Sequence, residues 1–274
     1  WGIPIVGRDK TARMKAIGET LAAINPDLIG LQEIYQQKDR DFILNKVAGS
    51  GIGFSQYFPS GVMGSGLMIL SRYPIQESGY VRFRLNGQPG DLIRSDYYAG
   101  KGLAWVRVGT PLGEVDFYNT HLIAAYLEIG EDRYFHHRVA QAYEIAKFLN
   151  EHSNERPVIL SGDLNSTPEG PAYRTLMDYA RLRDSYPEAN PGDPGITVSS
   201  EIPYIAFHAP ERIDYLLYRS SHSQALGLIG AQLAFHEVDA AYAGEILAYS
   251  DHYGVQATFE LTDTAGENPA EAGR

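Results

Sequence analysis

The segment Ser161-Gly162-Asp163-Leu164-Asn165 directly follows the apolar run Pro157-Val158-Ile159-Leu160. Such a run is typical of a buried β-strand, so Asp163 and Asn165 are expected where that strand ends. In an extended chain alternate side chains point the same way, which brings a carboxylate and a carboxamide to one spot. That pair suits a phosphate together with a water or a metal. A Gly-Asp turn that caps the next helix is an equally acceptable interpretation of these residues alone.

Four other stretches have the same form, in which a β-type run carries Glu, His or Asp at or near its end. They are Leu31-Gln32-Glu33, Asn119-Thr120-His121-Leu122, Arg212-Ile213-Asp214-Tyr215 and Ser250-Asp251-His252. One such stretch means little, and Glu33 alone is as typical of a solvated loop as of a ligand. Five of them in one chain predict a single polar cavity at the edge of a sheet.

The composition is that of a soluble globular protein, with 274 residues, 44% hydrophobic and 21% charged. No apolar run approaches the roughly 20 residues that a membrane helix needs. The formal charge of -11 argues against a stable nucleic-acid partner, because such binding depends on rows of Lys and Arg. An acidic protein that handles a phosphate ester needs a cation in its site, and the five stretches could supply its ligands.

The chain has no cysteine, so disulfides and thiolate metal sites are excluded and the redox compartment stays open. It opens at Trp1 with no visible signal peptide, inside sequence that has the pattern of a structured region. We expect a soluble or membrane-peripheral protein, with a secreted or periplasmic location favoured. The sequence does not indicate the oligomeric state.

Helical periodicity and apolar runs alternate along the chain, which indicates an α/β protein. Helices are predicted over 10–25, 38–48 and 131–151, with another starting at Thr167 as N-cap and Pro168 at its first position. Strands are predicted over 28–34, 67–71, 80–85, 103–108, 115–121, 157–160, 213–218, 225–235 and 253–261. Residues 185–210 predict a long loop that overhangs the site. We expect one catalytic domain over 1–262 and a polar tail over 263–274.

Three further features carry alternative interpretations. The segment Gly61-Val62-Met63-Gly64-Ser65-Gly66 could cradle a phosphate, although it matches no P-loop and a hairpin turn is favoured. Lys101, in a flexible aromatic loop, is expected from composition to contact solvent. His136 and His137 are adjacent on a helix and point about 100° apart, so we interpret them as surface or capping residues.

The five stretches, in this order, resemble the endonuclease/exonuclease/phosphatase superfamily, whose members cleave phosphoesters with a divalent cation. Within it, the chain is most similar to the neutral sphingomyelinases. The segments that carry this resemblance are Trp1-Gly2-Ile3-Pro4, Ser60-Gly61-Val62-Met63-Gly64-Ser65-Gly66-Leu67, His137-Arg138-Val139-Ala140-Gln141-Ala142, Arg212-Ile213-Asp214-Tyr215 and Ser250-Asp251-His252. The similarity runs from Trp1 to about Leu261.

The resemblance implies a four-layer α/β sandwich, in which two mixed β-sheets lie face to face and helices cover them. It also implies roles for the site residues. Glu33 would bind the catalytic Mg²⁺, with Mn²⁺ or Co²⁺ as possible substitutes, and Asp251 would complete the metal network. His121 and Asn165 would hold the phosphate, Asp163 would align the attacking water, and Asp214 would orient His252. We expect His252 to act as general base, with Asp163 as the rival for that role.

Two points concern the branch of the superfamily. Neutral sphingomyelinases carry an Asp and a Lys five positions apart in a glycine-containing loop, and Asp96 and Lys101 have that spacing, which implies substrate contact. The family also places a metal-supporting Asn two residues before the Trp-Gly segment. This chain begins at Trp1, so that Asn either lies upstream of the given sequence or is lacking, which would put the activity in doubt.

The resemblance implies a phospholipase C type phosphodiesterase that hydrolyses sphingomyelin to ceramide and phosphocholine at a membrane surface. One alternative is a hydrolase of the same fold acting on another phospholipid, a phosphoinositide or a nucleic acid. Another is a catalytically impaired lipid-binding module. Residues that could form an aromatic rim at the lipid interface are Tyr97, Tyr98, Tyr126, Tyr134 and Phe135, although core packing explains aromatic residues more often.

Overall fold

The computed structural model describes residues 10–90, 96–125, 127–128, 131–202, 209–236, 238–242 and 245–263. Its helices are α1 (Lys10–Ile24), α2 (Gln37–Val47), α3 (Asp96–Ala99), α4 (Phe135–His152), α5 (Pro171–Tyr179) and α6 (Ser185–Ala189). Its strands are β1 (Leu28–Leu31), β2 (Phe54–Tyr57), β3 (Met68–Ser71), β4 (Ile75–Arg82), β5 (Gly102–Thr110), β6 (Gly113–His121), β7 (Leu127–Glu128), β8 (Glu131–Asp132), β9 (Val158–Asp163), β10 (Arg183–Asp184), β11 (Asp214–Arg219), β12 (Gln224–Ala234), β13 (Val238–Tyr242), β14 (Glu245–Leu247) and β15 (Gly254–Asp263).

The helix predicted to start at Thr167 begins later, at Pro171. Gly170 is its N-cap residue and Pro171 lies at the first helical position, where its missing N–H costs no hydrogen bond. The Thr167 carbonyl instead accepts a hydrogen bond from the Gly170 N–H at 2.9 Å, which closes a turn before the helix. The sequence contains two prolines that could each start a helix, and the prediction chose the wrong one.

The segment predicted as a long loop over 185–210 also contains regular structure. Residues 185–189 form α6, because the Asp184 side chain caps it by accepting a hydrogen bond from the Tyr186 N–H at 3.1 Å. Val198 pairs with Glu211 in an isolated antiparallel bridge. Tyr253, next to the predicted site residue His252, donates its N–H to the Thr197 carbonyl at 2.8 Å. The part of this segment around Thr197 therefore packs beside the predicted site.

The larger sheet has six strands in the order β10-β11-β9-β6-β5-β4. It is a mixed sheet, because β6 and β9 are parallel whereas the other neighbours are antiparallel. The second layer of strands contains the antiparallel sheet β1-β3-β2 and the long antiparallel pair β12 and β15. Direct pairing of β2 with β3 makes residues 58–67 a hairpin connection, as predicted for the glycine-rich segment.

Three apolar clusters separate four layers, which confirms the predicted α/β sandwich. One cluster lies between α4, α5 and the six-stranded sheet and includes Tyr118, Ile145 and Leu176. A second lies between the two layers of strands and includes Ile69 and Phe117. The third lies between the β1-β3-β2 sheet and the helices α1 and α2. Alternate side chains of β6 and β9 therefore point either to the helices or to the opposite strands.

A buried asparagine joins the two layers of strands next to the predicted site. The Asn119 carboxamide donates to the Leu31 carbonyl at 2.8 Å and to the Met68 carbonyl at 3.2 Å, and accepts from the Gln32 side chain at 2.6 Å. Gly30 permits this approach, since a Cβ at that position would lie 2.2 Å from the Ser161 Oγ. The end of β1 is thereby held against the ends of β6 and β9.

None of the helices within the described residues combines the length and the apolar character needed to cross a membrane. The predicted tail lies outside the described residues from residue 264 onward. The single domain over 1–262 stays a prediction.

Candidate active site

Three of the predicted site residues form a row across adjacent strands of the six-stranded sheet. His121 ends β6 and is the register partner of Asp163, which ends the parallel strand β9. Asp163 is also the register partner of Asp214, which begins β11. The side chains of all three point to the same face of the sheet as those of Phe117 and Ile159, towards the opposite layer of strands. The sheet thus brings together residues separated by up to 93 positions in the sequence, from 121 to 214.

The loop before β15 adds His252 to this row from the other layer of strands. The His252 Nδ1 lies 2.9 Å from Asp214 Oδ2, within hydrogen-bonding distance. On the opposite side of the row, His121 Nε2 lies 3.4 Å from Asp163 Oδ2. Each imidazole therefore has a carboxylate partner, and the carboxylates of Asp163 and Asp214 lie between the two rings.

Glu33 reaches the site from just beyond β1. Its backbone has a φ of 58°, an unusual left-handed conformation for a residue with a side chain. The next residue, Ile34, donates its N–H to the Gly66 carbonyl at 2.9 Å, and a Cβ on Gly66 would lie 3.2 Å from the Glu33 Cα. Left-handed conformations of this kind persist when the surroundings impose them, and they are frequent at functional sites.

The predicted common cavity is present. It has a volume of about 140 Å³, and its lining includes the acidic and histidine residues Glu33, His121, Asp163, Asp214, Asp251 and His252. Glu33 and His252 thus border the same space, although 219 positions separate residues 33 and 252. Two basic residues of α1, Lys10 and Arg13, also line it. Lys10 Nζ pairs with Asp39 at 2.6 Å, and Arg13 Nε donates to the Tyr249 carbonyl at 3.0 Å.

The two histidines of the site differ in charge. Burial lowers the pKa of His121, and the positive charge of Lys101 lowers it further. Burial alone would also lower the pKa of His252, but the carboxylates of Asp214, Asp163 and Asp251 outweigh it and raise that pKa to about 10. At neutral pH in the metal-free protein, His121 is therefore neutral and His252 is an imidazolium.

The pKa of the Asp163 carboxyl is raised, first by burial and then by the negative charge of Asp214. Of the residues that the structure describes, Asp163, Asp214 and His252 offer ligand atoms that all lie within 4.8 Å of one another. Converging carboxylates that repel each other are stabilised by a cation, and carboxylate oxygens are ligands that Mg²⁺ prefers. Together with Glu33 and Asp251 on the same cavity wall, the carboxylates of Asp163 and Asp214 fit a divalent ion, whereas His252, as an imidazolium, offers no lone pair to it.

The position of Asn165 differs from its prediction. An extended chain would point Asn165 the same way as Asp163, but β9 ends at Asp163 and Asn165 has a left-handed φ of 45°. The Asn165 N–H donates to Asp163 Oδ1 at 2.7 Å, and its side chain donates to the Leu122 carbonyl at 3.1 Å. Asn165 therefore braces the Asp163 carboxylate and the residue after His121. Its contact with phosphate stays a prediction.

Lys101 is buried, whereas the composition of its loop predicted contact with solvent. Its side chain is 3% exposed, and Nζ pairs with Asp96 Oδ1 at 3.0 Å and donates to the Leu122 carbonyl at 2.8 Å. The strand β5 that follows Lys101 lies inside the six-stranded sheet, between β6 and the edge strand β4, which draws this residue inside. Whether Lys101 or Asp96 touches substrate stays a prediction, since neither lines the cavity.

The sequence reasoning missed the residues that fix the backbone after His121. Gln141 of α4 is buried, and its Oε1 accepts from the Ile123 N–H at 3.0 Å while its Nε2 donates to the Leu85 carbonyl at 2.7 Å. Arg138, one turn earlier, pairs with Asp132 and reaches the Ile123 carbonyl at 3.4 Å. Both are polar positions on the buried face of α4, a signal that was available in the sequence.

The aromatic residues predicted to form a rim at the lipid interface differ in their exposure to solvent. Tyr134 is buried in the interior, so core packing, the alternative given for these residues, explains it. Tyr97 and Tyr98 are half-buried, Phe135 is 38% exposed, and Tyr126 lies outside the described residues. His136 is exposed and His137 half-buried at the start of α4, as predicted for surface residues.

Comparison with known proteins gives matches over most of the chain. The sequence model described as "Endonuclease/Exonuclease/phosphatase family" matches residues 2–252. Sphingomyelin phosphodiesterase 2 of Rattus norvegicus is 33% identical over 230 residues, covering 80% of this chain and 54% of that protein. Inositol phosphosphingolipids phospholipase C of Schizosaccharomyces pombe is 35% identical over 188 residues, covering 68% of this chain and 44% of that protein. The chain thus spans about half the length of these curated relatives.

Solved structures share the fold at lower sequence identity. A beta toxin variant from Staphylococcus aureus, described with bound magnesium ions, superposes with a TM-score of 0.70 at 18% identity. The superposition covers 90% of this chain and 91% of that one.

Proposed function

The chain belongs to the endonuclease/exonuclease/phosphatase family, and on that premise we propose that it hydrolyses the phosphodiester of a sphingolipid. The favoured substrate is sphingomyelin, which would yield ceramide and phosphocholine. The observation that carries the proposal is the row of His121, Asp163 and Asp214 across three strands, closed by His252 and facing Glu33 in one cavity. The relative from Rattus norvegicus, named as a sphingomyelin phosphodiesterase, supports the choice of substrate.

Glu33 and Asp251 would hold Mg²⁺, with Mn²⁺ or Co²⁺ as substitutes, and Asp163 and Asp214 lie close enough to contribute further oxygens. When bound, the ion supplies positive charge that stabilises the phosphoryl oxygens of the transition state.

The protonation states favour a division of labour between His252 and Asp163. His252, protonated and hydrogen-bonded through Nδ1 to Asp214, would give its Nε2 proton to the ceramide oxygen as the bond from that oxygen to phosphorus breaks. Asp163, whose pKa is raised by burial, would accept the proton of the attacking water. We therefore assign the base to Asp163 in preference to His252, because a carboxylate accepts a proton more readily than an imidazolium.

His121 would stay neutral and donate a hydrogen bond to the phosphate from its buried position beside Asp163. Asn165 would steady the Asp163 carboxylate through its backbone N–H. Lys101 would act from behind the cavity by holding the Leu122 carbonyl and by keeping His121 neutral through its charge.

The test is an assay of the protein with choline-labelled sphingomyelin, phosphatidylcholine and plasmid DNA, with Mg²⁺ and with a chelator. We expect phosphocholine from sphingomyelin, lost on chelation and in His252→Ala, while His222→Ala, a change of an exposed histidine in the turn before β12, stays active. The pH dependence of kcat assigns the base: its acidic limb should vanish in Asp163→Asn and persist in His252→Gln. An unchanged acidic limb in Asp163→Asn contradicts the assignment, and DNA nicking without lipid hydrolysis contradicts the substrate class.

A second candidate substrate is an inositol phosphosphingolipid. The Schizosaccharomyces pombe relative, named for that activity, supports it with 35% identity over 68% of this chain. The chemistry at phosphorus would be the same, so the assay includes this lipid as a separate substrate. A higher kcat/KM for it than for sphingomyelin would make it the preferred substrate.

A further inference from the structure

The connection between β2 and β3 presents apolar side chains to solvent. Val62 is 87% exposed and Met63 is 37% exposed, at the tip of the turn. Exposed apolar side chains do not stabilise a folded protein, because apolar surface is stabilised only when it is removed from water. A lone exposed apolar residue needs no explanation, whereas an apolar turn that is held in place at the edge of a site does.

The turn is rigidly attached to the segment before β5. The N–H groups of Val62 and Met63 both donate to the Tyr98 carbonyl, at 2.8 and 3.2 Å. Gly61 has a left-handed φ of 55°, and a Cβ there would lie 2.2 Å from the same carbonyl oxygen. Ser60 Oγ donates to the Gly100 carbonyl at 2.7 Å. The structure therefore fixes Val62 in an outward position.

This turn borders the candidate active site. Gly66, at its far end, packs against Tyr35 and Glu33, and its carbonyl accepts the Ile34 N–H. Tyr98 precedes β5, whose first residues pair with the end of β6 that carries His121. Val62 and Met63 therefore lie at the same edge of the sandwich as the cavity.

Other exposed residues at this edge have the same character. Leu85, just beyond β4, is 44% exposed, and Phe135 is exposed at the start of α4. Arg84 and Arg133 are exposed beside them, in a chain whose formal charge is -11. Apolar tips interleaved with basic residues are the composition that binds the interface of a phospholipid bilayer.

We propose that the Val62–Met63 turn, together with Leu85 and Phe135, is a docking surface for a lipid bilayer. Insertion of Val62 into the interface would hold the mouth of the cavity at the level of the lipid headgroups. The inference rests on the proposed function, because a phosphodiester in a membrane lipid is reached only by an enzyme seated on that membrane. It adds the segment of the chain that makes the contact.

The test compares Val62→Asp with Leu112→Asp. Leu112 is 65% exposed in the turn between β5 and β6, at the opposite end of the strands from His121, and so provides a matched control. Co-sedimentation with vesicles of sphingomyelin and phosphatidylcholine, with and without phosphatidylserine, measures binding. We expect Val62→Asp to weaken binding by about tenfold or more and Leu112→Asp to leave it unchanged.

Activity is measured on the same vesicles and on a short-chain sphingomyelin kept below its micelle concentration. Val62→Asp should lose activity on vesicles and keep it on the dispersed substrate, because Val62 does not line the cavity. Equal vesicle binding by the two variants overturns the docking surface. If sedimentation velocity shows that Val62→Asp loses self-association while its vesicle binding is unchanged, the surface binds a second copy of the chain and the proposed bilayer docking is overturned. If Val62→Asp binds vesicles more weakly than the wild type but the wild type hydrolyses neither form of the lipid, the proposed function is contradicted and the docking surface is not.

Discussion

Substitution of Asn119 by alanine tests how the two layers of strands position the site. The buried carboxamide donates to the Leu31 and Met68 carbonyls and accepts from Gln32. Asn119→Ala removes these hydrogen bonds and the longer one that Asn119 Oδ1 accepts from Ser161 Oγ at 3.4 Å, and it leaves buried acceptors without a donor. Each unsatisfied buried group costs about 1–3 kcal/mol, so the free energy of unfolding should fall by about 3 kcal/mol. For a chain of this size that corresponds to a fall in Tm of roughly 6–12 °C.

The same variant should weaken the metal site, because Leu31 and Gln32 directly precede Glu33. We expect the Mg²⁺ concentration needed for half-maximal activity to rise. Thermal unfolding followed by circular dichroism measures the first effect, and a Mg²⁺ titration of activity measures the second. Asn119→Asp keeps the shape of the side chain but cannot donate, so it should be at least as destabilised as Asn119→Ala.

Asn45→Ala is the matched control, since Asn45 is an exposed residue of α2 and its loss should change stability by less than about 0.5 kcal/mol. The reasoning is refuted if Asn119→Ala melts within about 1 °C of the wild type. It is also refuted if Asn119→Ala is destabilised but keeps its Mg²⁺ dependence, because the hydrogen bonds would then not reach Glu33.

Three further predictions follow from the charges around the site. Asp214→Asn removes the partner of His252 Nδ1 and should lower kcat by about 10²- to 10⁴-fold without unfolding the protein, as measured by lipid hydrolysis and circular dichroism. Because the folded pKa of His252 is raised to about 10, its stabilising contribution is full below pH 6.5 and is lost as the pH rises towards 10. Chemical denaturation of the chelator-treated protein should therefore show a smaller alkaline loss of stability in His252→Gln, and identical slopes would contradict this. Lys101→Met leaves the carboxylate of Asp96 without its buried partner and should cost about 3–5 kcal/mol, whereas Lys101→Met with Asp96→Leu should regain much of that loss in the same denaturation experiment.

The family and the kind of site could be predicted from the chain. Helices and strands follow from local periodicity, because side chains repeat every 3.6 residues in a helix and every two in a strand. That is why α1, α2 and the strands β5, β6, β9, β11, β12 and β15 lie close to their predicted bounds. The predicted resemblance is confirmed by the family match over residues 2–252. The prediction that Glu33 and His252 border one cavity is likewise confirmed.

Predictions were least reliable where conformation depends on contacts distant in sequence. From the composition of its flexible, aromatic loop Lys101 was expected in solvent, and from the family resemblance in contact with substrate. Its side chain instead lies beside Asp96 and the Leu122 carbonyl. Asn165 was expected to extend β9, yet it turns away with a left-handed backbone and hydrogen-bonds to Leu122. In both cases a partner 21 or 43 positions away outweighs the local preference.

Residue types and local patterns along the chain were enough to identify the residues that carry the chemistry and to place each at or near the end of an element. The mutual positions of these residues follow from the assembled fold, because strand register is a property of two strands together and neither strand encodes it alone. Pairing of Asp163 with His121 on one side and Asp214 on the other makes one row of three separate strand ends. Asn119 holds the end of β1 against that row, and the close approach of the two layers brings carboxylates near enough to shift the protonation of His252.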